Sequence, residues 1–331
     1  MTRIDVFNHF FPAAFFGAMK DVCSDAQTLK RYMNIPMLVD LDVRFRAMDQ
    51  HGDYQQVLSL ASPPIEALAG PAQSPELARI GNDGLADLCA RYPERFPGFV
   101  ASLPMNHPDA ALAELHRSLD DLGALGVQMY SNVDGKPLDS EDFLPLFDAM
   151  AAADRPIWLH PTRGPSFPDY QTEDRSLYEI WWTLGWPYDT SVAMARLVFS
   201  GLLDRHPELK IITHHLGGMI PYFEGRVGPG WDQLGKRTVD EDYGALLKKL
   251  KKRPYDYFKM FYADTALFGA GPATRCGIDF FGVDRVLFAS DSPLILKAGQ
   301  CTSGRPSKYW RGLGCRTPSF KRSTAGTPDG C

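Results

Sequence analysis

Eight short runs rich in β-branched and aromatic residues recur along the first 294 positions, and their spacing constrains the fold more than any other feature. They are IDVFNHF (4–10), QVLSLA (56–61), FPGFVASL (96–103), VQMYS (127–131), PIWLH (156–160), LKIITHH (209–215), MFYADT (260–265) and RVLFASD (285–291). Most are followed by a longer helical pattern, such as SPELARIGNDGLADLCARY, HPDAALAELHRSLDDLG or LDSEDFLPLFDAMAAADR. In the second of these, Ala111, Leu112, Leu115 and Leu119 recur at helical spacing, and Asp109 follows a proline as a first-turn acid. Gly123 and Gly126 punctuate the passage into the next strand. Eight strands alternating with helices predict an α/β fold of the (β/α)8 barrel type. The rival, a doubly wound open sheet, lacks the glycine-rich phosphate loop after its first strand. Residues 12–45 read as an irregular insertion after strand one, capping the barrel mouth.

Composition narrows the class. A chain of 331 residues is long enough for two domains at about 150 residues each, yet one α/β barrel also uses this length. Hydrophobic residues at 44% and charged residues at 23% describe a soluble globule and argue against disorder. A net charge of −5 leaves no electrostatic footprint for nucleic acid or an anionic membrane. No run approaches the roughly 18 apolar residues of a membrane span. Asp5, Asn8, His9 and Pro12 lie in or beside the apolar FFPAAFFGAM stretch, which therefore does not read as a signal peptide. Six cysteines without a C-x-x-C pair point to a reduced, cytosolic protein.

The charge total conceals a break after FASDSPL. Residues 1–294 carry 28 Lys and Arg against 39 Asp and Glu, whereas residues 295–331 carry 7 against 1. The tail has neither helical nor strand periodicity and holds three of the cysteines, Cys301, Cys315 and Cys331. Two origins fit: a natural basic tail, or translation out of frame, which yields such incoherent composition. The second is the preferred expectation.

Catalytic groups of a barrel lie at the C-terminal ends of its strands. Four of the eight strand candidates end there in a metal-binding residue type: His9, His160, the pair His214 and His215, and Asp291. Singly, each has a plain explanation, a hydrogen-bonded structural histidine or an aspartate forming a turn. Jointly, four strand ends on one face converge on a single ion. Imidazole and carboxylate donors suit Zn2+, with Mn2+ or Fe2+ as substitutes. His51, His107, His116 and His206 sit in turns, loops or helices and are assigned no catalytic role.

At these residues the chain resembles the amidohydrolase superfamily. It is most similar to the branch with aminocarboxymuconate-semialdehyde decarboxylase and the γ-resorcylate-type decarboxylases. The likeness spans residues 3–294 and is carried by RFRAMDQHG, NDGLADLCARYPERFPGFVASLPM, LGALGVQMYSN, IWLHP, MFYADT, LFASDSP and, above all, GWPYDTSVAMARLVFSGLLDRHPELKIITHHLGGMIPYFEGRV. The resemblance implies a divalent metal held by a His-x-His on strand one, a histidine ending strand five and an aspartate ending strand eight. Those positions read Phe7 and His9, His160, and Asp291, so phenylalanine replaces one ligand. Asn8 and Asp5 are the nearby substitutes, although strand alternation turns Asn8 away. His215 matches the family's strand-six general acid/base. His214 before it should face the opposite side, as a structural residue between barrel and helices. Trp182 matches a tryptophan lining the substrate pocket. No basic residue stands in NIPMLVDLD, where the family grips its substrate carboxylate; Arg163 is the candidate replacement, with a surface role as its alternative. Nothing from Ile295 onward follows the family pattern. Homodimers are common in this branch.

The resemblance therefore implies non-oxidative decarboxylation of an aromatic or unsaturated carboxylic acid such as a hydroxybenzoate or muconate. His9, His160 and Asp291 would fix the ion, Asp291 or His215 would deliver the proton, and Trp182, Phe10 and Trp181 would stack on a flat small-molecule carboxylate. Two rivals stay open. The same ion and His215 could aim hydroxide at an amide, lactone or ester, or hydrate a double bond. Phe7 and the aberrant tail could instead mark a metal-free, degenerate barrel.

Overall fold

The computed structural model describes residues 2–23 and 26–294. The expected tail, 295–331, lies outside the described residues. All eight expected strands form: β1 (Arg3–His9), β2 (Tyr54–Ser59), β3 (Val100–Ser102), β4 (Gly126–Tyr130), β5 (Ile157–His160), β6 (Ile211–Thr213), β7 (Tyr262–Asp264) and β8 (Val286–Leu287). Every neighbouring pair within them is parallel, β1 with β2 and then β3 through β8 in sequence order.

Backbone hydrogen bonds close the remaining gaps. Leu58 bridges to Phe99, and Leu58 N donates to Gly98 O at 3.1 Å, joining β2 to β3. On the other side Val6 N donates to Phe288 O at 2.9 Å, His9 N to Ser292 O at 2.7 Å and Asp291 N to Phe7 O at 3.2 Å. The barrel is thus a ring with its helices outside, as the alternating pattern predicts.

Two apolar clusters follow from this layering. The barrel interior holds Val6, Phe7, Val57, Val100, Trp158, Ile212, Ala266 and Ala289. Trp158 spans it, donating its indole N–H to Val6 O at 3.1 Å, so a large side chain in the core has its one polar atom satisfied. The larger cluster lies between strands and helices. Helix Ser74–Arg91 shows the reason: Leu77, Ala78, Gly81, Leu85 and Leu88 are buried at helical spacing. In helix Pro108–Asp120, Ala111, Leu115 and Leu119 are buried as the periodicity requires, Leu112 is half-buried, and His107 caps the start by accepting from Ala110 N.

The segment after β1 is more ordered than its sequence suggests. It forms helices Ala13–Val22, Ala26–Met33 and Leu41–Asp49, with a short 3-10 turn at Pro36–Leu38. Helix Ala13–Val22 packs on helix Ser74–Arg91, and a glycine allows the approach: a Cβ at Gly84 would sit 2.5 Å from Pro12 Cβ. Among the described residues no helix is long and apolar enough to cross a membrane.

Candidate metal centre and active site

The sequence places a polar residue at the end of five strands, and the barrel brings their tips to one mouth. His9 ends β1 and His160 ends β5; His214 and His215 follow β6; Asp264 ends β7; Asp291 lies just past β8. Each of His9, His160, His214 and Asp291 offers a donor atom, and these atoms all lie within 4.8 Å of one another. All four residues are buried.

The far side of each imidazole is already committed. His9 Nδ1 donates to Leu60 O at 3.1 Å, with Ser59 Oγ at 3.0 Å. His160 Nδ1 donates to Pro161 O at 2.7 Å, and His214 Nδ1 meets Asp264 Oδ2 at 2.5 Å. With the N–H on Nδ1, each Nε2 presents a lone pair inward. His9 Nε2 lies 2.9 Å and His214 Nε2 3.3 Å from the same oxygen, Asp291 Oδ1. The Nε2 atoms of His160 and His214 are buried with no hydrogen-bond partner. Lone pairs aimed at a carboxylate oxygen need a cation between them. A ligating histidine that donates its other N–H to a carbonyl or carboxylate is the usual support of a metal ion. The donor set therefore fits a divalent metal.

The electrostatics agree. Burial works against a charged His214, but Asp264 and Asp291 on either side overcome it and lift its pKa to about 10, so that Nε2 carries toward Asp291 a proton that a bound cation would displace. Burial also works against an ionised Asp291, and His214, His215 and His9 nonetheless hold it well below the usual carboxylate range. His160 is pushed well below an ordinary histidine by burial and by the neighbouring His214 and His9. Two buried carboxylates and a ring of imidazoles thus draw positive charge to their centre.

Strand alternation predicts that His214 faces away, and this expectation is overturned. The strand stops at Thr213, and His215 and Leu216 take left-handed backbone conformations, φ 52° and 53°. Past the strand end the two-residue alternation no longer applies. Both imidazoles then lean toward the mouth, their ring centres 3.8 Å apart. His215 is buried, its Nε2 lies 3.6 Å from Asp291 Oδ2, and its Nδ1 has no partner. Its backbone N–H is anchored by Asp264 Oδ1 at 3.1 Å.

The amidohydrolase family model matches residues 4–302 of this chain. The chain belongs to the amidohydrolase family. Among curated relatives, a γ-resorcylate decarboxylase of Rhizobium radiobacter is 37% identical over 269 residues, covering 77% of this chain and 78% of that protein. A 2-amino-3-carboxymuconate-6-semialdehyde decarboxylase of Dictyostelium discoideum is 29% identical, covering 78% and 67%. Among solved structures, a dihydroxybenzoic acid decarboxylase of Polaromonas sp. JS666, with bound manganese and the inhibitor 2-nitroresorcinol, superposes with a TM-score of 0.72 at 28% identity, covering 95% of this chain and 94% of that one.

Within this amidohydrolase barrel the other expected residues divide. Phe7 lies among the imidazoles, its ring centre 5.2 Å from His9, 5.8 Å from His160 and 4.5 Å from His214, so it packs against the site without a donor to offer. Asn8 turns away to Val57 O and Arg44. Asp5 is consumed by Tyr54, Ser290 and Phe7 N, and neither residue joins the donor set. Trp182 is half-buried and one ring removed: it packs on Trp186, 6.2 Å away, and Trp186 itself abuts His160 at 5.4 Å and His215 at 6.4 Å. Trp181 also leans on Trp186 at 6.2 Å. Phe10 is buried in the outer cluster beneath the Arg44 guanidinium, away from the stacking role expected of it. Arg163 pairs with Asp189 at 3.1 Å and stacks on Phe167, so its charge is already matched.

Three residues escape the sequence reading: His214 as an inward donor, Asp264 behind it, and Trp186. Asp264 was available to the same rule that found the others, since it ends a strand in YAD. Trp186 sits four residues from Trp182, at the start of the next helix, and only packing separates the two.

Proposed function

We propose that this chain is a divalent-metal-dependent, non-oxidative decarboxylase acting on a small aromatic hydroxycarboxylate, a dihydroxybenzoate being the nearest chemical type. The observation that carries the reading is the set of inward, unpartnered Nε2 atoms around Asp291 at the barrel mouth. The decarboxylases among its relatives supply the reaction class.

His9, His160 and Asp291 hold the ion. Three imidazoles and a carboxylate, if His214 is counted, suit zinc, while the Polaromonas relative carries manganese. When bound, the metal would supply a Lewis acid to a carboxylate-bearing substrate. Trp186 gives the pocket an aromatic wall beside His160 and His215, suited to a flat ring. Decarboxylation needs a proton on the ring carbon that carries the carboxylate; the C–C bond then breaks, its electrons restore the ring, and carbon dioxide leaves. Asp291, ionised in this setting, takes up the acidic proton brought by the substrate and returns it to that carbon. His215, whose imidazole burial and the adjacent His214 hold below its ordinary pKa, stays neutral and steadies Asp291.

The test is elemental analysis of the purified protein with a His160→Ala control, followed by carbon dioxide release from 2,6- and 2,3-dihydroxybenzoate. One zinc or manganese per chain, lost in the control, with carbon dioxide evolved, is the expected result. No carbon dioxide from these acids, with water added instead across an amide, lactone, ester or double bond of another substrate, would transfer the reading to hydrolysis or hydration.

A further inference from the structure

The resemblance implies a metal donor at the first ligand position of strand one, a histidine or in some aromatic decarboxylases a glutamate, and here that position is Phe7. A site short of one ligand should bind its metal weakly unless another residue makes up the loss. We propose that His214 is that residue, a metal ligand supplied from the end of β6 in place of the strand-one donor, with Asp264 as the positioning residue that fixes it. The inference rests on the metal-dependent reading above and specifies how this chain sustains it.

Four features converge on His214. Its Nε2 is buried with no well-formed hydrogen bond, facing only a carboxylate at 3.3 Å, the setting in which a cation can replace a proton. That nitrogen points at Asp291 Oδ1, the oxygen His9 also faces, so the two imidazoles and the carboxylate share one focus. Its Nδ1 is held by Asp264, whose second oxygen accepts the backbone N–H groups of His215 and Ala266, each at 3.1 Å, leaving the carboxylate no freedom to turn. Phe7 packs its ring against His214 more closely than against His9 or His160, filling with carbon the space of the missing donor and walling His214 into its inward pose. Phenylalanine at position 7 and histidine at position 214 thus form one exchange: a donor removed from β1 and a donor added beyond β6, with the donor count kept.

The exchange is tested on metal-stripped protein by calorimetric titration with Zn2+ and by the visible spectrum of bound Co2+, which reports the donor set without reference to turnover. His214→Gln should lower Zn2+ affinity by about 100-fold or more and change the Co2+ spectrum, and Asp264→Asn should lower affinity about 10- to 100-fold. Adding Phe7→His to His214→Gln should recover much of the lost affinity, because it returns the donor to β1. Circular dichroism checks that each variant is folded. Should His214→Gln fail to fold, Asp264→Asn decides, and unchanged affinity there overturns the inference. If His214→Gln binds Zn2+ like the parent while His160→Ala does not, the inference falls and the metal-dependent reading stands. If the parent itself takes up no metal, both fall together.

Discussion

Two buried polar clusters meet on β1, where Asn8 and the His9 carbonyl serve one and the His9 imidazole the other, and they are built on opposite terms. In the first, Arg44 is completely buried yet hydrogen-bonded at all three of its nitrogens: Nη1 donates to Asn8 Oδ1 at 2.9 Å and to Gln56 Oε1 at 2.7 Å, Nε to Met37 O at 3.3 Å, and Nη2 to His9 O. Burial lowers its pKa to about 10, which leaves it charged at neutral pH. In the second, His160, His214 and His215 each retain a buried nitrogen without a partner. Unmatched buried polar atoms cost about 1–3 kcal/mol apiece, and three of them gathered around one carboxylate mark a place for a ligand. The contrast teaches how to sort buried charge: the satisfied network ties the insertion to β1 and β2, and the unsatisfied one awaits a ligand.

That contrast can be broken most sharply at His160. Its replacement by alanine should lower turnover by about 1000-fold or more, roughly 4 kcal/mol of transition-state stabilisation, while the melting temperature of the metal-stripped protein changes little. Steady-state rates and a thermal melt read the two quantities separately; a large drop in stability with activity retained would merge the clusters into one structural class. Arg44→Met should do the reverse, removing about 3 kcal/mol of stability by stranding Asn8, Gln56 and two carbonyls. Urea unfolding measures it, and a neutral outcome would mean the network is replaceable by apolar contact.

A smaller effect concerns Glu66, another buried group with an unpartnered oxygen. Burial raises its pKa from 4.5 to about 8. The native state then binds the extra proton across that interval and the unfolded chain does not, so this group's contribution to stability falls as pH rises from about 4.5 to about 8 and levels off above. Glu66→Gln should flatten that slope, seen as parallel urea midpoints at pH 5 and pH 8; an unchanged slope would return the effect to other groups. Least of all, Trp186→Phe should raise KM several-fold with kcat nearly kept, since one aromatic wall remains. Loss of kcat instead would place the indole in the chemistry.

The barrel was legible because it is written as repetition: eight β-rich runs, each set apart by an amphipathic stretch, all formed. His9, His160 and Asp291 were legible for the same reason, as strand-end residues on a fold whose strand ends meet. What failed was inference from alternation beyond a strand's last residue. His214 turned inward because the backbone leaves the extended region one residue later, and no local residue preference announces that. Arg163 and Phe10 were chosen by type, and type does not reveal that Asp189 or a core cluster already claims the side chain. The helices of the 12–45 segment escaped notice because each is short, and short helices depend on tertiary packing, such as that of Ala13–Val22 against Ser74–Arg91.

The left-handed turn at His215 and Leu216 has a consequence for how this protein can change. Neither residue is glycine, so each holds a conformation that costs on the order of 1 kcal/mol. Leu216 also presses on helix Gly271–Phe281 so tightly that a Cβ at Gly277 would meet it at 2.1 Å. Selection for heat resistance alone would favour glycine at position 215, relaxing the turn and deleting the imidazole in one step. Activity and robustness are opposed at this corner of the fold, and a lineage that keeps His215 through such selection does so because the imidazole is being used.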